Sequence, residues 1–349
     1  MSQALKRFNT TLDIVDGVVD LSHGSGGRAS AQLIAQCFTQ HFENPMLSAG
    51  NDFATFTTTA GRMVMATDCH VISPLFFPGG DIGSLAVHGT INDVCMSGAT
   101  PWYLAAGFIL EEGFPLRDLD QIAASMARAA RKAGVTIVTG DTKVVEKGKG
   151  DGAFITTTGV GLIPPGIHIS GELAQPGDVV IVSGSIGDHG VAIMSQRENL
   201  QFETPIVSDS AALHEMVASL LHSRASIHCL RDPTRGGLAT TLNELAQQSQ
   251  VGIKIHESQI PVKPGVAAAC ELLGLDPLYV ANEGKLVCIC AASDAKKVLD
   301  VIRAHPLGQE AEIIGSVVED AHYFVHMETQ FGGQRIVDWL AGEQLPRIC

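Results

Sequence analysis

Apolar residues follow two alternating patterns along the chain. Short continuous apolar runs are typical of buried strands, whereas apolar residues three or four positions apart are typical of helices that bury one face. The first pattern predicts strands at residues 63–67, 102–110, 135–138, 154–163, 179–182, 253–256, 286–291 and 313–318. The second pattern predicts helices at residues 82–96, 119–130, 213–221, 238–246, 266–273 and 295–304. This alternation indicates an α/β protein.

The same pattern divides the chain into parts. Residues 1–20 mix polar residues with short apolar pieces, and we interpret them as an N-terminal extension or an edge strand. At about 150 residues per domain, a chain of 349 residues suggests two domains. The Pro-Pro-Gly sequence at 164–166 is the best candidate for the boundary. We therefore expect an N-terminal domain at 21–165, a C-terminal α/β domain at 166–335 and a mobile tail at 336–349.

The composition is that of a globular protein, with 45% hydrophobic and 17% charged residues. The formal net charge is −14, whereas a nucleic-acid-binding protein is expected to carry a basic surface. We therefore expect no nucleic-acid partner. A phosphate ligand would have to be held by backbone N–H groups, by one or two lysines, or by metal ions that bridge carboxylates to phosphates. Acidic side chains are therefore candidate metal ligands.

The cysteines and the N-terminus indicate the compartment. The eight cysteines include no Cys-x-x-Cys pair and no spacing typical of zinc sites, so we expect reduced thiols. Residues 1–10 contain no apolar core of a signal peptide, and no apolar run of about 18 residues occurs. We expect a cytoplasmic protein with no membrane segment.

A glycine-rich stretch precedes the first helical pattern. It contains His23, Gly24, Ser25, Gly26 and Gly27. Unpaired N–H groups at the start of a helix suit an anion. A simple hinge is the alternative, because the Lys-Ser/Thr end of a P-loop is missing.

Three carboxylates occupy positions where a site is plausible. Asp68 and Asp141 each follow an apolar run, and Asp93 follows Asn92 inside an apolar helical segment. A carboxylate on such a segment is costly unless it is paired, hydrogen-bonded or bound to a cation, so Asp93 either belongs to a site or fixes the fold. Lys143 would face the same side of a strand as Asp141, and a surface salt bridge is the alternative explanation for that pair.

Two further polar motifs also lie next to predicted elements. Asp232 to Gly237 precede a helix, and Asn282 to Lys285 precede a strand. Both are equally consistent with ordinary caps and turns.

The chain ends on a cysteine. Pro346 stiffens the approach to Cys349, and about ten extended residues behind the end would reach roughly 33 Å. A terminal thiol could therefore enter a cleft and leave it again. A frayed terminus with an accidental cysteine is the alternative.

Together these stretches resemble the hydrogenase maturation factor HypE family, within the PurM-like (aminoimidazole ribonucleotide synthetase) superfamily of ATP-binding enzymes. The matching motifs are His23-Gly24-Ser25-Gly26-Gly27, Asp81-Ile82-Gly83, Asn92-Asp93, Gly140-Asp141-Thr142-Lys143, Asp232-Pro233-Thr234-Arg235-Gly236-Gly237, Asn282-Glu283-Gly284-Lys285 and Pro346-Arg347-Ile348-Cys349. The resemblance covers residues 21–349. The carboxylate and glycine motifs indicate only the superfamily, whereas the terminal Pro-Arg-Ile-Cys motif is specific to this family.

The resemblance implies a fold and an activity. The fold is α/β (α+β), a PurM-like two-domain fold in a homodimer whose N-terminal sheets join into a barrel. The carbamoyltransferase HypF carbamoylates the terminal thiol, and ATP-dependent dehydration converts the thiocarboxamide into a thiocyanate. The cyano group then passes to the iron carried by HypC and HypD, for [NiFe] hydrogenases.

The resemblance also implies roles for individual residues. Cys349 carries the reacting group, Glu283 accepts a proton from its nitrogen, and Lys143 polarises the carbamoyl oxygen or relays a proton. Mg²⁺ would be held by Asp68, Asp93 and Asp141. The residues implied to contact ATP or its metal ion are His23, Gly24, Ser25, Gly26, Gly27, Asp68, Asn92, Asp93, Asp141, Thr142, Asp232 and Thr234.

Two other functions are possible from the sequence. Another PurM-like enzyme, such as a selenophosphate synthetase or a small-molecule kinase, needs no terminal cysteine. A selenophosphate synthetase would also need a reactive Cys or selenocysteine and a lysine near the glycine-rich stretch, and residues 21–28 contain neither. A non-catalytic scaffold that binds a partner through the tail would leave the acidic motifs, the glycine-rich stretch and Lys143 unexplained.

Overall fold

The computed structural model describes residues 11–25, 28–48, 54–57, 60–200, 205–340 and 347–349. Its strands are β1 (Arg62–His70), β2 (Phe76–Phe77), β3 (Gly80–Asp81), β4 (Thr100–Glu111), β5 (Thr136–Val145), β6 (Ala153–Ile163), β7 (Val179–Val182), β8 (Ile227–Arg231), β9 (Gly252–His256), β10 (Val287–Cys290), β11 (Glu312–Val318), β12 (Val325–Glu328) and β13 (Gln334–Ile336).

The helices alternate with these strands. They are α1 (Arg28–Leu33), α2 (Gln40–Phe42), α3 (Pro45–Ser48), α4 (Ile82–Met96), α5 (Leu116–Lys132), α6 (Asp188–Arg197), α7 (His214–His222), α8 (Gly237–Ser249), α9 (Pro264–Leu273) and α10 (Ala295–Ala304). A π-helical segment, Ile34–Thr39, joins α1 to α2. No helix in the described part of the chain combines the length and the apolar character that crossing a bilayer requires.

A four-stranded sheet forms the first half of the molecule. Its strand order is β1-β6-β4-β5, with β4 and β5 parallel and the other pairs antiparallel. Helix α4 packs against one face, and α5 packs against α4. Side chains alternate between the faces of a strand, so this sheet has one covered face and one open face. The open face carries exposed apolar side chains, including Met63, Met65 and Ile109.

A seven-stranded sheet forms the second half. Its order is β13-β12-β9-β11-β7-β10-β8. All four residues of β10 are fully buried, because this strand has packed side chains on both faces. Cys288 and Cys290 belong to one core cluster, and Val287 and Ile289 belong to another. The two cysteines therefore face the same side of β10.

The predicted helices form where the apolar spacing placed them. In α5, Leu119, Ile122 and Met126 are fully buried at three- and four-residue spacing. Helix α4 starts at a capping box, in which Ser84 N donates to Asp81 Oδ1 over 2.9 Å and Asp81 N donates to Ser84 Oγ over 3.1 Å. Asp81 is therefore the N-cap residue of α4.

Two features differ from the sequence-based expectation. Asp141 was expected beyond the end of a strand, yet it lies inside β5 because that strand continues its parallel pairing with β4 as far as Val145. Asp68 likewise lies within β1. Helix α6 was not predicted, because its first residues continue a glycine-rich stretch.

The predicted N-terminal extension is described from residue 11. Val18 forms an isolated bridge with Pro115, and Val19 is fully buried. This part of the extension therefore packs against the first half of the molecule.

Candidate active site

The end of the chain lies in a cleft of the molecule. Val71 N donates to Cys349 O over 3.0 Å, and Ser73 N donates to Arg347 O over 3.2 Å. These bonds form an antiparallel bridge between Ile72 and Ile348. The Ile348 side chain is 4% exposed, so the tail buries apolar surface when it docks. Pro346 and the rest of 341–346 lie outside the described residues.

Cys349 places its sulfur among charged side chains. Arg235 Nη1 is 3.6 Å from Cys349 Sγ and donates a hydrogen bond to it. Burial raises the pKa of the Cys349 thiol, and the negative charges of Glu283 and Asp68 raise it further, whereas Arg235 opposes them. The docked sulfur is therefore held as a neutral group. A neutral carbamoylated sulfur suits this environment better than a thiolate.

Glu283 is a buried acid whose negative charge acts on this sulfur. Glu283 is 3% exposed, and its Oε1 atom has no hydrogen-bond partner. Its main chain is fixed, because Glu283 N donates to Asp209 Oδ1 over 3.0 Å. The neighbouring Asn282 accepts from Gly187 N and donates to Pro233 O, both over 2.8 Å. The motif thus holds the Glu283 backbone rigidly and leaves a carboxyl oxygen free.

Four acids surround this point, and we call Asp68, Asp93, Asp232 and Glu283 the acidic cluster. Burial raises the pKa of Glu283 well above its usual range, and Asp232, Asp209 and Asp68 raise it further. Burial raises the pKa of Asp93 to about 6, and the negative charge of Asp68 contributes to this rise. Burial and the charge of Asp93 raise the pKa of Asp232 to about 7. The negative charges of these acids repel one another, and a bound cation would reduce that repulsion.

A buried ion pair supports the cluster from behind. Lys285 Nζ is 3.0 Å from Asp209 Oδ2, and the two side chains are 10% and 4% exposed. Burial alone would raise the pKa of Asp209, but Lys285 and His189 outweigh it and lower the pKa. Asp209 is therefore a carboxylate that ties the Glu283 main chain to the Lys285 side chain.

A second concave region, the β5 pocket, lies on the same half of the molecule as the four-stranded sheet. It is a cavity of about 200 Å³. Its lining is mostly apolar, with polar residues among it: His23, Gly24, Ser30, Ile34, Phe38, Thr39, Phe42, Leu47, Ala106, Phe108, Ile137, Thr139, Gly140, Asp141, Thr142 and Lys143. A side chain at Gly24 would place its Cβ 2.6 Å from Val144 N, so only glycine fits there. His23 is 6% exposed, and its Nδ1 accepts from Asp20 N over 2.9 Å.

The structure separates Asp141 and Lys143 from the acidic cluster. Asp68 aligns with Gly140 through Thr157 and Ala106, which is three strand spacings, or about 14 Å. Asp68 Oδ2 points toward Gly89 of α4 on the covered face. Asp141, one residue beyond Gly140, alternates to the open face.

The proposed metal site is therefore not assembled within one chain. Lys143 Nζ is 2.6 Å from Asp141 Oδ2, which confirms that the two side chains face the same way. This hydrogen bond lowers the pKa of Asp141. Within the described ranges, no group of three His, Cys, Asp or Glu side chains is arranged to hold one metal ion. Asp68, Asp93 and Asp141 thus do not form a common site in a single copy.

The side-chain amide of Asn92 bonds to main-chain groups of the protein. Asn92 is 1% exposed, its Nδ2 atom donates to Ala211 O over 3.0 Å and to Glu283 O over 3.2 Å, and its Oδ1 atom accepts from Leu213 N over 2.8 Å. The side-chain amide is engaged on both sides within the protein. We therefore revise its implied contact with ATP to the positioning of Glu283.

The remaining implied residues lie at the edges of the two regions. Thr142 N donates to Asp141 Oδ1 over 2.9 Å, and Thr234 N donates to Asp232 O over 3.0 Å in the turn before α8. Ser25 is exposed, and its hydroxyl donates to Ser22 O. Gly26 and Gly27 lie outside the described residues.

Sequence reasoning missed three residues of the cleft. Arg235 belongs to the Asp232–Gly237 motif that was recognised, so its membership of that motif was an available signal. Asp209 and His189 reach the site from loop and helix positions that carry no periodic pattern. Their proximity to the tail depends on long-range contacts that a single sequence does not show.

Comparison with known proteins places these features in a family. Residues 50–163 match the AIR synthase related protein N-terminal domain, and residues 175–328 match the corresponding C-terminal domain. The chain is 66% identical to carbamoyl dehydratase HypE of Cupriavidus necator over 98% of both chains. It is 67% identical to the same protein of Azotobacter vinelandii, over 97% of this chain and 99% of the other.

Two solved structures extend the comparison. A crystal structure of hydrogenase maturation protein HypE in complex with ATP matches with a TM-score of 0.91 and 52% identity, over 94% of this chain and 99% of the other. A crystal structure of a HypE–HypF complex matches with a TM-score of 0.78 and 49% identity, over 88% and 99% of the chains. The PurM-like two-domain fold is therefore confirmed, and the chain belongs to the carbamoyl dehydratase HypE family.

Proposed function

We propose that this protein uses ATP to dehydrate an S-carbamoyl group on its own Cys349 to a thiocyanate, and so supplies the cyanide ligand of [NiFe] hydrogenase iron. The observation that carries the proposal is the docked terminal sulfur, which accepts from Arg235 and feels the charge of Glu283, a buried acid with one carboxyl oxygen that has no hydrogen-bond partner. The ATP complex of a relative at 52% identity supports the use of ATP.

The reaction removes one oxygen and two protons from a carboxamide. Hydroxide is a poor leaving group, so the carbamoyl oxygen must first receive a phosphoryl group, and ATP is the donor of that group. The C–O bond then breaks, the oxygen leaves with phosphate, and the nitrogen loses both protons as the C≡N bond forms. The chain has to position the tail, neutralise charge and accept a proton.

Glu283 is suited to accept the proton. Its carboxyl group has one free oxygen in the cleft, and burial makes its ionised form a stronger base than an ordinary glutamate. Arg235 already donates to the sulfur, so its guanidinium group lies where a carbamoyl oxygen or phosphate would need positive charge. We assign proton transfer to Glu283 and charge neutralisation to Arg235.

The acidic cluster fits a divalent cation. Burial raises the pKa values of Asp93 and Asp232, and a neighbouring carboxylate raises each further, so a bound cation would favour the ionised forms of both acids. Bound Mg²⁺ would supply charge neutralisation for the phosphates of ATP. Mg²⁺ usually takes one or two carboxylates together with substrate phosphates, so it does not need three side chains of one copy. Within one copy we propose Asp68 and Asp93 as the carboxylates that face this ion, and we place Asp141 with the nucleotide at the β5 pocket.

The β5 pocket suits part of a nucleotide. Phe38, Phe42 and Phe108 provide apolar surface for a base, and Lys143 and Thr142 provide polar groups at the edge. At about 200 Å³ the cavity is below the usual size of a whole ligand site, about 300–1,000 Å³. The remainder of ATP must therefore extend out of the pocket.

We further propose a homodimer that covers this open face. Met65 is 71% exposed, Met63 is 45% exposed and Ile109 is 44% exposed on the face that α4 leaves uncovered. Such a patch is unusual for a monomer. A second copy packed sheet to sheet would bury it as a barrel. Lys143 lies on the same face, so we propose that it acts on the tail of the second copy.

A mixed-dimer experiment tests the placement of Lys143. We expect Glu283→Gln and Lys143→Ala homodimers each to lack dehydratase activity. A heterodimer of the two variants retains one intact site if the residues come from different copies, and the thiocyanate then forms only on the Lys143→Ala chain. Product on neither chain would show that both residues act within one copy.

The proposal includes the partners of the reaction. The HypE–HypF complex of a relative supports the carbamoyltransferase HypF as the donor to Cys349. We propose the HypC–HypD complex as the acceptor of the cyano group, in the cytoplasm.

An ATPase measurement distinguishes this function from a PurM-like kinase. We expect ATP hydrolysis only when Cys349 carries the carbamoyl group, and none in Cys349→Ser. Rapid hydrolysis with an unmodified tail would favour an ATP-using enzyme with a separate small substrate.

A further inference from the structure

Helix α6 makes a further set of contacts with the tail. His189 is fully buried, and its Nε2 atom is 2.7 Å from Ile348 O. Its Nδ1 atom is 2.8 Å from Ser208 Oγ. A carbonyl oxygen only accepts hydrogen bonds, so Nε2 must carry the proton and donate it. Nδ1 therefore accepts from the Ser208 hydroxyl.

This arrangement fixes the imidazole in one tautomer. Ser208 Oγ also accepts from Ser210 N over 3.1 Å, which directs the hydroxyl proton toward His189. The Phe77 ring and the imidazole pack edge to face, with ring centroids 5.6 Å apart. Burial lowers the pKa of His189, so the ring stays neutral and keeps a single donor toward the tail. The ring is therefore held in place before the tail arrives.

Arg197, at the other end of the same helix, contacts the preceding tail residue. Its Nη2 atom donates to Arg347 O over 2.9 Å and to Ser73 O over 2.6 Å. Helix α6 thus binds two successive carbonyls of the tail from two positions that are eight residues apart. The main chain of residues 71–73 also bonds to the tail, because Ser73 N donates to the same Arg347 O that Arg197 contacts and Val71 N donates to Cys349 O.

We propose that His189 is a positioning residue that sets the register of the tail, so that the sulfur of Cys349 stops beside Glu283 and Arg235. A slip of one residue along an extended strand moves every atom by about 3.4 Å and reverses the side that each side chain faces. The buried donor prevents such a slip, because only the carbonyl of Ile348 satisfies it. This role deepens the proposed dehydratase function and rests on it.

The test compares two substitutions that retain different parts of the imidazole. The side-chain nitrogen of His189→Gln reaches the position of Nε2, whereas that of His189→Asn reaches only the position of Nδ1. The alkylation rate of Cys349 by iodoacetamide, followed by mass spectrometry of the terminal peptide, reports how often the tail is undocked. Glutathione alkylated under the same conditions serves as the reference for a fully exposed thiol.

We expect His189→Asn to raise the alkylation rate of Cys349 roughly tenfold over that of the natural protein, because an unpaired buried carbonyl weakens docking. We expect His189→Gln to stay close to the natural rate. Equal rates in the natural protein and His189→Asn would overturn the proposal, and so would equal increases in both variants. Alkylation needs neither ATP nor a carbamoyl group, so its outcome is independent of the proposed function.

A second measurement separates register from general damage. Starting from protein carbamoylated by HypF, we expect His189→Asn to lose dehydration at least tenfold while carbamoylation proceeds at the natural rate. If His189→Asn does not fold, Ser208→Ala provides the test, since it removes the group that orients the ring. A two- to fivefold rise in Cys349 alkylation is then expected, and no rise would reject the role of the ring.

Discussion

Replacement of Glu283 by glutamine should make the protein more stable and catalytically inactive. Glutamine retains the size of the side chain and cannot ionise. The free carboxyl oxygen of Glu283 has no partner, so the substitution breaks no hydrogen bond made by that atom. The main-chain bond from Glu283 N to Asp209 is also retained.

The size of the stability gain follows from proton linkage. Burial raises the pKa of Glu283 in the folded protein above the ordinary value of 4.5. The folded state therefore binds this proton more tightly than the unfolded state does. The resulting stabilisation is fully present below the unfolded pKa and is lost as the pH rises through the folded pKa. The advantage of Glu283→Gln should thus widen with pH, by up to about 1.4 kcal/mol per pH unit.

The rate should change in the opposite direction. In the natural protein, dehydration should accelerate as the pH rises, because Glu283 must lose its proton before it acts as a base. Glu283→Gln should lower the rate by about 10²–10⁴-fold and remove that pH dependence. ATP binding and carbamoylation by HypF should persist.

Two assays test this prediction together. Chemical denaturation between pH 5 and pH 8 gives the free energy of unfolding, and a single-turnover assay gives the rate on carbamoylated protein. Glu310→Gln is the matched control, because Glu310 is exposed, and it should change neither quantity. The reasoning is refuted if Glu283→Gln forms thiocyanate at the natural rate, or if its stability advantage is the same at every pH.

Three other perturbations test separate parts of the structure. Asp93→Asn should weaken Mg-ATP binding by about tenfold or more, measured by titration calorimetry with and without Mg²⁺; equal affinities would remove Asp93 from the metal site. Lys285→Met should lower the free energy of unfolding by about 3–5 kcal/mol, because it leaves the buried carboxylate of Asp209 unpaired; a loss below 1 kcal/mol would contradict a paired buried charge. Ile348→Ala should raise the alkylation rate of Cys349 at least tenfold at an unchanged melting temperature, since Ile348 is buried only in the docked tail; an unchanged rate would show that its side chain does not hold the tail.

Much of the secondary structure could be predicted from the local pattern of apolar residues. The buried face of α5, the strands of the four-stranded sheet and four strands of the seven-stranded sheet follow from apolar spacing, whereas β8, β12 and β13 were not predicted. Helix α6 was also not predicted, because His189 and its neighbours are buried by both halves of the molecule, which removes the amphipathic signal. The length of β5 was also missed, because pairing with β4 extends a strand past polar residues such as Asp141.

The site was only partly accessible. Motifs identified Glu283, Asp93 and Cys349 as candidates, but spacing along the chain does not report that the last residue pairs with Val71. It also does not report that Asp141 lies three strands from Asp68 and on the other face of the sheet. These relations depend on sheet order and on long-range packing.

The central claim concerns the chemical state of the last residue. Mass spectrometry of the C-terminal peptide, after incubation with HypF, carbamoyl phosphate and Mg-ATP, tests it most directly. We predict a thiocyanate on Cys349 in the natural protein, a persistent carbamoyl group when hydrolysable ATP is omitted after carbamoylation, and neither modification in Cys349→Ser. A carbamoyl group that remains unchanged in the presence of ATP, or a thiocyanate on another cysteine, would contradict the account.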